Sequence, residues 1–295
     1  MRYHERTKHH FARFAPGPGR LDWANQPDPF RRFEGAPLTR LPLLAPEDEP
    51  RPPAYDSLYA PGAVASAPLD LRSLSRLFEH ALALSAWKQA GDTRWALRMN
   101  PSSGNLHPTE GYVFIGSIGE LGESPGLFHY APREHALERR ADCPPAVLSQ
   151  MMRNFPPHAF LVGLSSVYWR EAWKYGERAF RYCQHDAGHA VGALRIAAAT
   201  LGWSARVLDD VPDATIEALL GLDRAADFEG AERENAELLM AVGPGEFQIS
   251  TSTLDRQLVE ELKEQRWYGK ANRLSPDDAV RWDIIDTVSA ASRKP

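Results

Sequence analysis

Prolines crowd the first fifth of the chain and limit what that part can fold into. Eleven of the 24 prolines lie in the first 62 of the 295 residues. Because proline lacks a backbone N–H donor and fixes φ, neither a continuous helix nor a central strand can run through this stretch. Trp23, Phe30, Phe33 and several leucines interrupt it, which favours an extended arm packed on the body or on a neighbouring subunit over a flexible leader. The sequence therefore predicts a Pro-rich extended arm over residues 1–65 and a folded domain over residues 66–295.

Composition narrows the class of protein. Hydrophobic residues make up 43% of the chain and charged residues 25%, which fits globular domains with a sizeable core. The net charge of −5 gives no reason to expect nucleic acid or an anionic membrane as a partner. No apolar run approaches the roughly 20 residues that cross a bilayer, and the first ten residues lack the apolar segment of a secretory signal. Cys143 and Cys183 could form at most one bridge, and nothing argues for it, so a cytoplasmic location is expected.

Apolar periodicity predicts alternating helices and strands in the body. Helices are predicted over 71–82, 145–152, 169–182, 186–201 and 275–290, and strands over 111–116, 127–130, 158–165 and 236–242. Asp70 is the expected N-cap of the first helix, and Ser275 followed by Pro276 is that of the last. The helix over 186–201 has the clearest apolar spacing, and Gly202 ends it. Strands of antiparallel type combined with several long helices indicate an α+β fold.

The segment 98–108, R-M-N-P-S-S-G-N-L-H-P, has the composition of a tight loop. Pro101 ends any preceding helix, and Gly104 permits a positive φ. Small polar side chains stand beside exposed backbone N–H groups at Ser102, Ser103 and Asn105. A backbone that turns so tightly can lie against a planar, polar ligand, although an ordinary turn before a strand would have the same composition.

Ionisable and aromatic residues are dense between positions 169 and 189. At helical spacing Lys174, Arg178 and Arg181 share one face, which suits an anionic ligand or a developing oxyanion. The alternative is an amphipathic helix whose charges are solvated. His185 and His189 lie four residues apart, a spacing that can hold a metal, but no third ligand stands at a matching distance and no metal is expected.

Four segments occur together in a characteristic order. They are P-S-S-G-N-L-H-P at 101–108, W-K-Y-G-E-R-A-F-R-Y at 173–182, D-A-G-H-A-V-G-A-L-R-I-A-A-A-T-L-G-W at 186–203 and L-L-M-A-V-G-P-G at 238–245. In this order they resemble the nitroreductase superfamily, most closely its SagB/ThcOx-type branch, which includes flavin-dependent azoline dehydrogenases. The resemblance covers roughly residues 70–290. It implies a nitroreductase-like fold, with a mixed central sheet flanked by helices, and a homodimer with FMN at the subunit interface.

The resemblance also implies which residues would hold the cofactor. The loop that contacts the flavin in this superfamily matches Pro101, Ser102, Ser103 and Asn105, with Asn105 on the pyrimidine edge of the ring. Backbone passes close to the ring in the segment that begins at Gly202. Residues 55–70 lack the R-R-S-x-R-x-F segment that binds phosphate in ordinary nitroreductases. The phosphate contacts would instead come from Arg98, Arg178, Arg181 or Arg206.

Lys174 and Tyr175 match the Lys-Tyr pair that the dehydrogenase branch uses for proton handling. Lys174 would act as the base, and Tyr175 as a proton donor or orienting group, while FMN supplies the redox chemistry. The expected activity is that of an FMN-dependent oxidoreductase acting on a small molecule or a peptide azoline, with NADH or NADPH as a candidate electron donor. A flavin-free family member acting as a binding or scaffold protein remains open, as does a metal-dependent hydrolase built on His185 and His189.

Overall fold

The computed structural model describes residues 2–45, 52–249 and 254–295, so the part of the predicted arm between 46 and 51 lies outside the described residues. The α-helices are α1 (Arg2–Thr7), α2 (Leu71–Ala81), α3 (Pro145–Met151), α4 (Tyr168–Tyr175), α5 (Ala179–Thr200), α6 (Asp213–Leu220), α7 (Arg256–Lys263) and α8 (Asp283–Ala291). The Asp70 side chain accepts a 2.8 Å hydrogen bond from the backbone N–H of Ser73, as expected of the N-cap of α2.

A seven-stranded sheet forms the centre of the molecule. The described strands, inside and outside this sheet, are β1 (Phe33–Glu34), β2 (Leu38–Arg40), β3 (Leu84–Ala90), β4 (Thr93–Arg98), β5 (Thr109–Ile115), β6 (Gly126–Ala131), β7 (Ala136–Asp142), β8 (Phe160–Ser166), β9 (Trp203–Leu208), β10 (Asn235–Pro244) and β11 (Lys270–Ala271). The order in the sheet is β2-β7-β6-β5-β8-β10-β9, and these neighbours pair antiparallel, where a mixed sheet was expected. A single parallel bridge joins Trp203 to Gly245. The predicted α+β fold is confirmed.

Helices cover both faces of this sheet because its strands alternate their side chains. On β5, Val113 and Ile115 pack with α2 and the apolar side of α5, whereas Tyr112 and Phe114 pack with α3, α6 and α7. All four side chains are fully buried. The result is a three-layer core in which α5 lies along one face of the sheet, so its outward side is left for other contacts.

Two helix boundaries differ from the prediction. The helix expected over 169–182 breaks at Gly176, which adopts a φ of 53° and separates α4 from α5. A Cβ at this position would lie 3.1 Å from the Trp282 ring, so only glycine fits without a shift. The last helix begins at Asp283 rather than near Ser275, because the Ser275 hydroxyl is occupied as acceptor for the Trp169 indole at 2.7 Å.

The described residues of the arm pack on the body. β2 adds an edge strand to the sheet beside β7, and β1 pairs with β11. Arg31 is fully buried, and its Nε donates to Glu234 at 3.0 Å. The arm therefore contributes both strand and buried charge to the fold, while its treatment as a unit separate from residues 66–295 stays a prediction.

Buried charges connect the sheet to the arm and to α4. His129 on β6 lies between two carboxylates, with Nδ1 2.9 Å from Glu138 and Nε2 3.0 Å from Glu110. Both ring nitrogens donate, which requires the imidazolium form. Burial acts to lower the pKa of His129, but the hydrogen bonds to Glu110 and Glu138 outweigh it and raise this pKa to about 9.

Two arginines complete this network. Arg170 on α4 is fully buried and donates to the Glu110 carboxylate and, at 2.8 Å, to the carbonyl oxygen of His107. Arg32 in the arm donates to Glu138 at 2.6 Å. Burial acts to raise the pKa of Glu110, but the charge of Arg170 and further hydrogen bonds lower it to about 2. Each buried charge thus has an opposite partner, which is the condition under which such groups are tolerated in a core.

We expect the free energy of unfolding to fall as pH rises from about 6.5 to about 9. The folded-state pKa of His129 is raised, so its stabilisation is complete below the unfolded-state pKa and is lost as pH rises through the folded-state value. The loss should be on the order of 2–3 kcal/mol. Urea unfolding at several pH values measures it, and His129→Gln should remove this dependence.

His135→Gln is the matched control. His135 is also buried, but burial lowers its pKa to about 4, so its contribution is present above pH 6.5 and is lost as pH falls towards 4. That variant should keep the alkaline dependence of the wild type. A wild-type protein whose stability is flat between pH 6.5 and 9 would contradict the assignment of a charged His129.

Candidate functional site

The loop between β4 and β5 is compact and strained. Gly104, Asn105 and His107 all adopt positive φ, at 63°, 61° and 50°. Residues other than glycine rarely adopt a positive φ, and where they do, the strained conformations are concentrated at functional sites. The predicted tight loop is therefore present, and it needs contacts elsewhere in the protein to hold it.

Asp186 on α5 is the principal holder of this loop. Its carboxylate accepts the Ser102 hydroxyl at 2.7 Å, the Ser103 backbone N–H at 3.0 Å and the Ser103 hydroxyl at 3.3 Å. Asp186 is fully buried, and its burial raises its pKa even though these hydrogen bonds lower it. The two serine hydroxyls that were expected to face a ligand thus donate to the protein itself.

The side chain of Asn105 is also engaged within the loop region. Its Nδ2 donates to the carbonyl oxygen of Ala96 on β4 at 2.8 Å, and its Oδ1 lies 2.9 Å from Nε2 of His107. Burial, with the charges of Arg98 and Arg170, lowers the pKa of His107 to about 2, so the ring is neutral and Nε2 carries the proton. These bonds fix the backbone of residues 101–107 as one rigid surface.

Lys174 and Tyr175, the predicted catalytic pair, lie directly over this loop. Lys174 Nζ is 3.5 Å from the carbonyl oxygen of Gly104. A Cβ at Gly104 would lie 2.5 Å from the Tyr175 hydroxyl and 2.9 Å from Lys174 Nζ, so a side chain there would displace the pair. Burial raises the pKa of Tyr175, which keeps the phenol protonated and able to donate. The structure brings the predicted loop and the predicted pair together.

Arg98 lies below the loop rather than facing solvent. One Nη donates to the carbonyl oxygen of Thr109 at 3.3 Å, and the other donates to that of Pro29. The guanidinium stands over the Phe30 ring, 5.8 Å from its centroid, and burial lowers the pKa of Arg98 to about 10. Its hydrogen bonds therefore go to the backbone of the arm and of β5.

Arg178 and Arg181 are covered by the N-terminal helix. Arg181 Nη2 donates to the Thr7 hydroxyl at 3.0 Å and to the His4 carbonyl oxygen at 3.2 Å. Arg178 Nη1 lies 3.1 Å from Nε2 of His9 and donates to the Tyr182 hydroxyl at 3.2 Å. Both arginines are predicted phosphate ligands, and in this arrangement both bind the arm.

Gly202 and Arg206 lie in a different place. They line a cavity of about 780 Å³ formed by residues 57–66, the end of α5 and the start of β9, with further lining from Arg195 and Gly245. Gly202 has a φ of 64°, and a Cβ there would lie 2.6 Å from the carbonyl oxygen of Val64. Arg195 and Arg206 are exposed, and neither has a hydrogen-bond or ion-pair partner in the described part of the chain.

The predicted site residues thus form two groups on one chain. The first group, around the loop and the Lys174–Tyr175 pair, contacts α5 at Asp186, and the second begins just after α5 ends at Thr200. The 14 residues from Asp186 to Thr200 correspond to about 21 Å of helix, at about 1.5 Å per residue. The two groups therefore line two separate regions of one subunit.

The sequence patterns assigned no role to Asp186, which holds the loop, or to Arg195, which lines the cavity. The available signal was a charge on the apolar face of a helix, because Asp186 falls on the same face as the buried Cys183, Ala187 and Ala190. A carboxylate at such a position needs a hydrogen-bond partner from another element.

The described residues also bear on a metal site, a disulfide and membrane-spanning helices. Within residues 2–45, 52–249 and 254–295 no group of three or more His, Cys, Asp or Glu side chains is arranged to hold a metal ion. Cys143 and Cys183 are both buried free thiols. Among the helices of the described ranges, none combines the length and apolar character that crossing a membrane requires.

The sequence pattern of the Nitroreductase family matches residues 65–243, more than half of the chain, and the chain belongs to this family. Members of the family are oxidoreductases that generally use a flavin. A candidate nitroreductase of Methanocaldococcus jannaschii is 29% identical over 143 residues, which cover 46% of this chain and 67% of that protein.

Solved structures agree with this assignment. A nitroreductase-like protein of Anabaena variabilis is 26% identical, with a TM-score of 0.62 over 82% of this chain and 45% of that chain. The present chain thus spans less than half the length of the Anabaena protein. A protein of Ralstonia eutropha with 17% identity and a TM-score of 0.52, over 79% of this chain and 100% of that one, shares the fold.

We expect Asp186→Asn to loosen the loop over residues 101–107. An amide keeps one acceptor oxygen, but its NH₂ group would face the Ser102 and Ser103 donors, so the variant should lose about 1–3 kcal/mol of stability. Hydrogen exchange of the loop amides, with chemical denaturation, measures both effects. His189→Gln is the control, because that exposed ring lies 3.8 Å from Asp186 and should contribute little. Unchanged exchange at Ser103 in Asp186→Asn would contradict this role.

Proposed function

We propose that this chain is an FMN-dependent oxidoreductase of the SagB-type branch, active as a homodimer. The observation that carries the proposal is the packing of Lys174 and Tyr175 on the strained loop at Gly104. A proton donor and an amine held over a rigid backbone surface provide what a flavin enzyme needs beside its cofactor. When bound, FMN would supply the hydride chemistry.

The cavity at the end of α5 fits the phosphate end of such a cofactor. Its volume of about 780 Å³ is within the range of ligand pockets. The exposed guanidinium groups of Arg195 and Arg206 line this cavity, and neither has a partner in the described part of the chain. Guanidinium groups bind phosphate oxygens in a bidentate manner. Arg98, Arg178 and Arg181 hold protein groups instead, so Arg195 and Arg206 are the better candidates for the phosphate.

A homodimer would bring the two groups of residues together. Along the outward side of α5, nothing lies within 4 Å of where a Cβ would stand at Gly188 or Gly192, and Ile196 is 47% exposed. A second α5 packed antiparallel on this side would set the loop and Lys174 of one subunit near Arg206 of the other. This arrangement overcomes the separation of about 21 Å along one helix, and it follows the family pattern of a flavin at the interface.

The pair has distinct roles in the proposed reaction. Tyr175, a protonated phenol, donates or orients, and Lys174 accepts the proton that leaves the substrate carbon in an oxidation. The rigid loop limits how the substrate approaches the pair. The substrate class is a peptide azoline or another small organic molecule, and NADH or NADPH is the candidate electron donor for reductive turnover.

Arg206→Ala and Arg195→Ala should each weaken FMN binding by roughly ten- to a hundredfold, because each removes a charge-assisted hydrogen bond to phosphate. The visible spectrum after FMN addition and desalting reports retention, and a fluorescence titration gives the affinity. Arg181→Ala is the control, since its guanidinium binds Thr7 and His4 and its loss should leave the affinity unchanged.

The outcomes separate the two functions that the sequence left open. If FMN binding were lost in Arg181→Ala alone, the phosphate site would lie under α1 rather than at the end of α5. A folded wild-type protein that retains no FMN would contradict the oxidoreductase proposal. It would instead support a scaffold role. That role is favoured by the finding that Arg98, Arg178 and Arg181, three of the predicted phosphate ligands, bind protein groups.

Lys174→Ala and Tyr175→Phe should reduce oxidation of a peptide azoline by about 10²–10⁴-fold, because both alter proton transfer, and should leave FMN affinity intact. Reduction of a nitroaromatic by NADH or NADPH, followed in parallel, tests whether the pair serves both directions. Lys88→Ala, at an exposed lysine on β3, is the control. Undiminished turnover in both variants would show that the pair is not catalytic.

A further inference from the structure

A buried carboxyl group lies beside the Lys174–Tyr175 pair and has no role so far. Glu171 is on α4, three residues before Lys174 and four before Tyr175, so the three side chains share one side of the helix. Glu171 is fully buried, and neither of its carboxyl oxygens has a hydrogen-bond partner. A carboxylate in that position would have no hydrogen bond to compensate for its burial.

The groups around Glu171 act against ionisation. Burial is the main cause that raises the pKa of Glu171 well above its ordinary value, and the nearby charge of Asp186 on α5 raises it further. Lys174 opposes them and does not outweigh them. The remaining titratable neighbours are Tyr175 on the same helix and Cys183 on α5, whose thiol is itself kept neutral because burial raises its pKa. Burial, the charge of Asp186 and the missing hydrogen-bond partners therefore all favour the neutral carboxylic acid of Glu171 over the carboxylate.

We propose that Glu171 is the internal proton reserve of this site, and returns a proton to Lys174 or Tyr175 after that pair has given one to the substrate. The inference rests on the proposed function and concerns the reductive direction, in which the substrate takes a hydride and a proton. The hydride originates from the nicotinamide donor named above. Glu171 itself touches no substrate, so it acts through the pair.

The proton balance is simple. When Lys174 or Tyr175 moves within hydrogen-bond distance of Glu171, the O–H bond of Glu171 breaks and an N–H or O–H bond forms on the neutral amine of Lys174 or the phenolate of Tyr175. No electrons move between residues. Glu171 is left as a carboxylate of raised pKa, which is a strong drive to regain a proton. The route back runs through Lys174, because that side chain is partly exposed whereas Glu171 has no contact with solvent.

Glu171→Gln is the direct test, since an amide keeps the size and neutrality of the acid but has no acidic proton. Its turnover in NAD(P)H-dependent reduction should fall roughly ten- to a hundredfold at neutral pH with little change in KM, and should recover towards low pH as solvent reprotonates the pair. Glu177→Gln is the matched control, because Glu177 follows the same helix and pairs with Arg6 in the arm. It should keep the wild-type pH profile.

Two measurements need no turnover. Infrared difference spectra should show the carbonyl band of a neutral carboxylic acid at pH 7 that persists as pH rises well above 4.5 and is absent in Glu171→Gln. Both proteins carry Glu237→Gln, because burial raises the pKa of Glu237 to about 7 and its acid band would overlap. Because the folded-state pKa of Glu171 is raised, its stabilisation is complete below pH 4.5 and is lost as pH rises. Glu171→Gln should therefore gain stability relative to wild type as pH increases. If this variant does not fold, the infrared titration of Glu237→Gln still decides the protonation state, because that protein lacks the other carboxyl group whose pKa lies near 7.

The results distinguish this inference from the proposed function. A protein that retains no flavin overturns both. A flavoprotein in which Glu171→Gln turns over like the wild type, with an unchanged pH profile, overturns only the proton reserve. An acid band that is missing at pH 7 in Glu237→Gln does the same, because an ionised Glu171 has no proton to return.

Discussion

The ion pair between Arg170 and Glu110 is the contact on which the rest of the site depends. Glu110 is the second residue of β5, just after the loop, and Arg170 lies in the first turn of α4, one turn before Lys174. Both side chains are fully buried, so water cannot replace either partner. The pair therefore fixes α4 against the start of β5. Arg170 also donates to the His107 carbonyl oxygen, which places α4 and the strained loop in one rigid unit.

The strain in this loop is offset by bonds that reach every neighbouring layer. Asp186 holds it from α5, Ala96 holds it from β4, and Arg170 holds it from α4. Positive φ values at Asn105 and His107 cost on the order of 1–3 kcal/mol each. A loop that served only to connect two strands would have no reason to retain them. The strain therefore favours a functional surface over an ordinary turn, the two interpretations between which the sequence alone could not choose.

The sequence predicted most of the fold because its signals were local. The apolar spacing of α5, the cap at Asp70 and the run of buried residues in β5 each depend on neighbours in the chain. The break at Gly176 was missed because it depends on packing against Trp282, far away in the sequence, and the late start of α8 was missed because Ser275 is engaged by the distant Trp169. The site divides in the same way. The loop and the Lys174–Tyr175 pair were found by pattern, whereas Asp186 and Glu171 acquire their roles only through contacts between α4, α5 and the loop.

The arginines illustrate why charge in a sequence does not identify a phosphate site. In the sequence Arg98, Arg178 and Arg181 were equivalent to Arg206, since each lies within or next to a segment that resembles the family. Within the fold the first three donate to carbonyl oxygens, hydroxyls or imidazoles of the arm and its neighbours, and those bonds would have to break before an anion could bind. Arg206 needs no such exchange. The proline-rich arm therefore bears on which groups are free to bind an anion. It engages Arg98, Arg178 and Arg181, whereas Arg206 at the far end of α5 has no partner among the described residues.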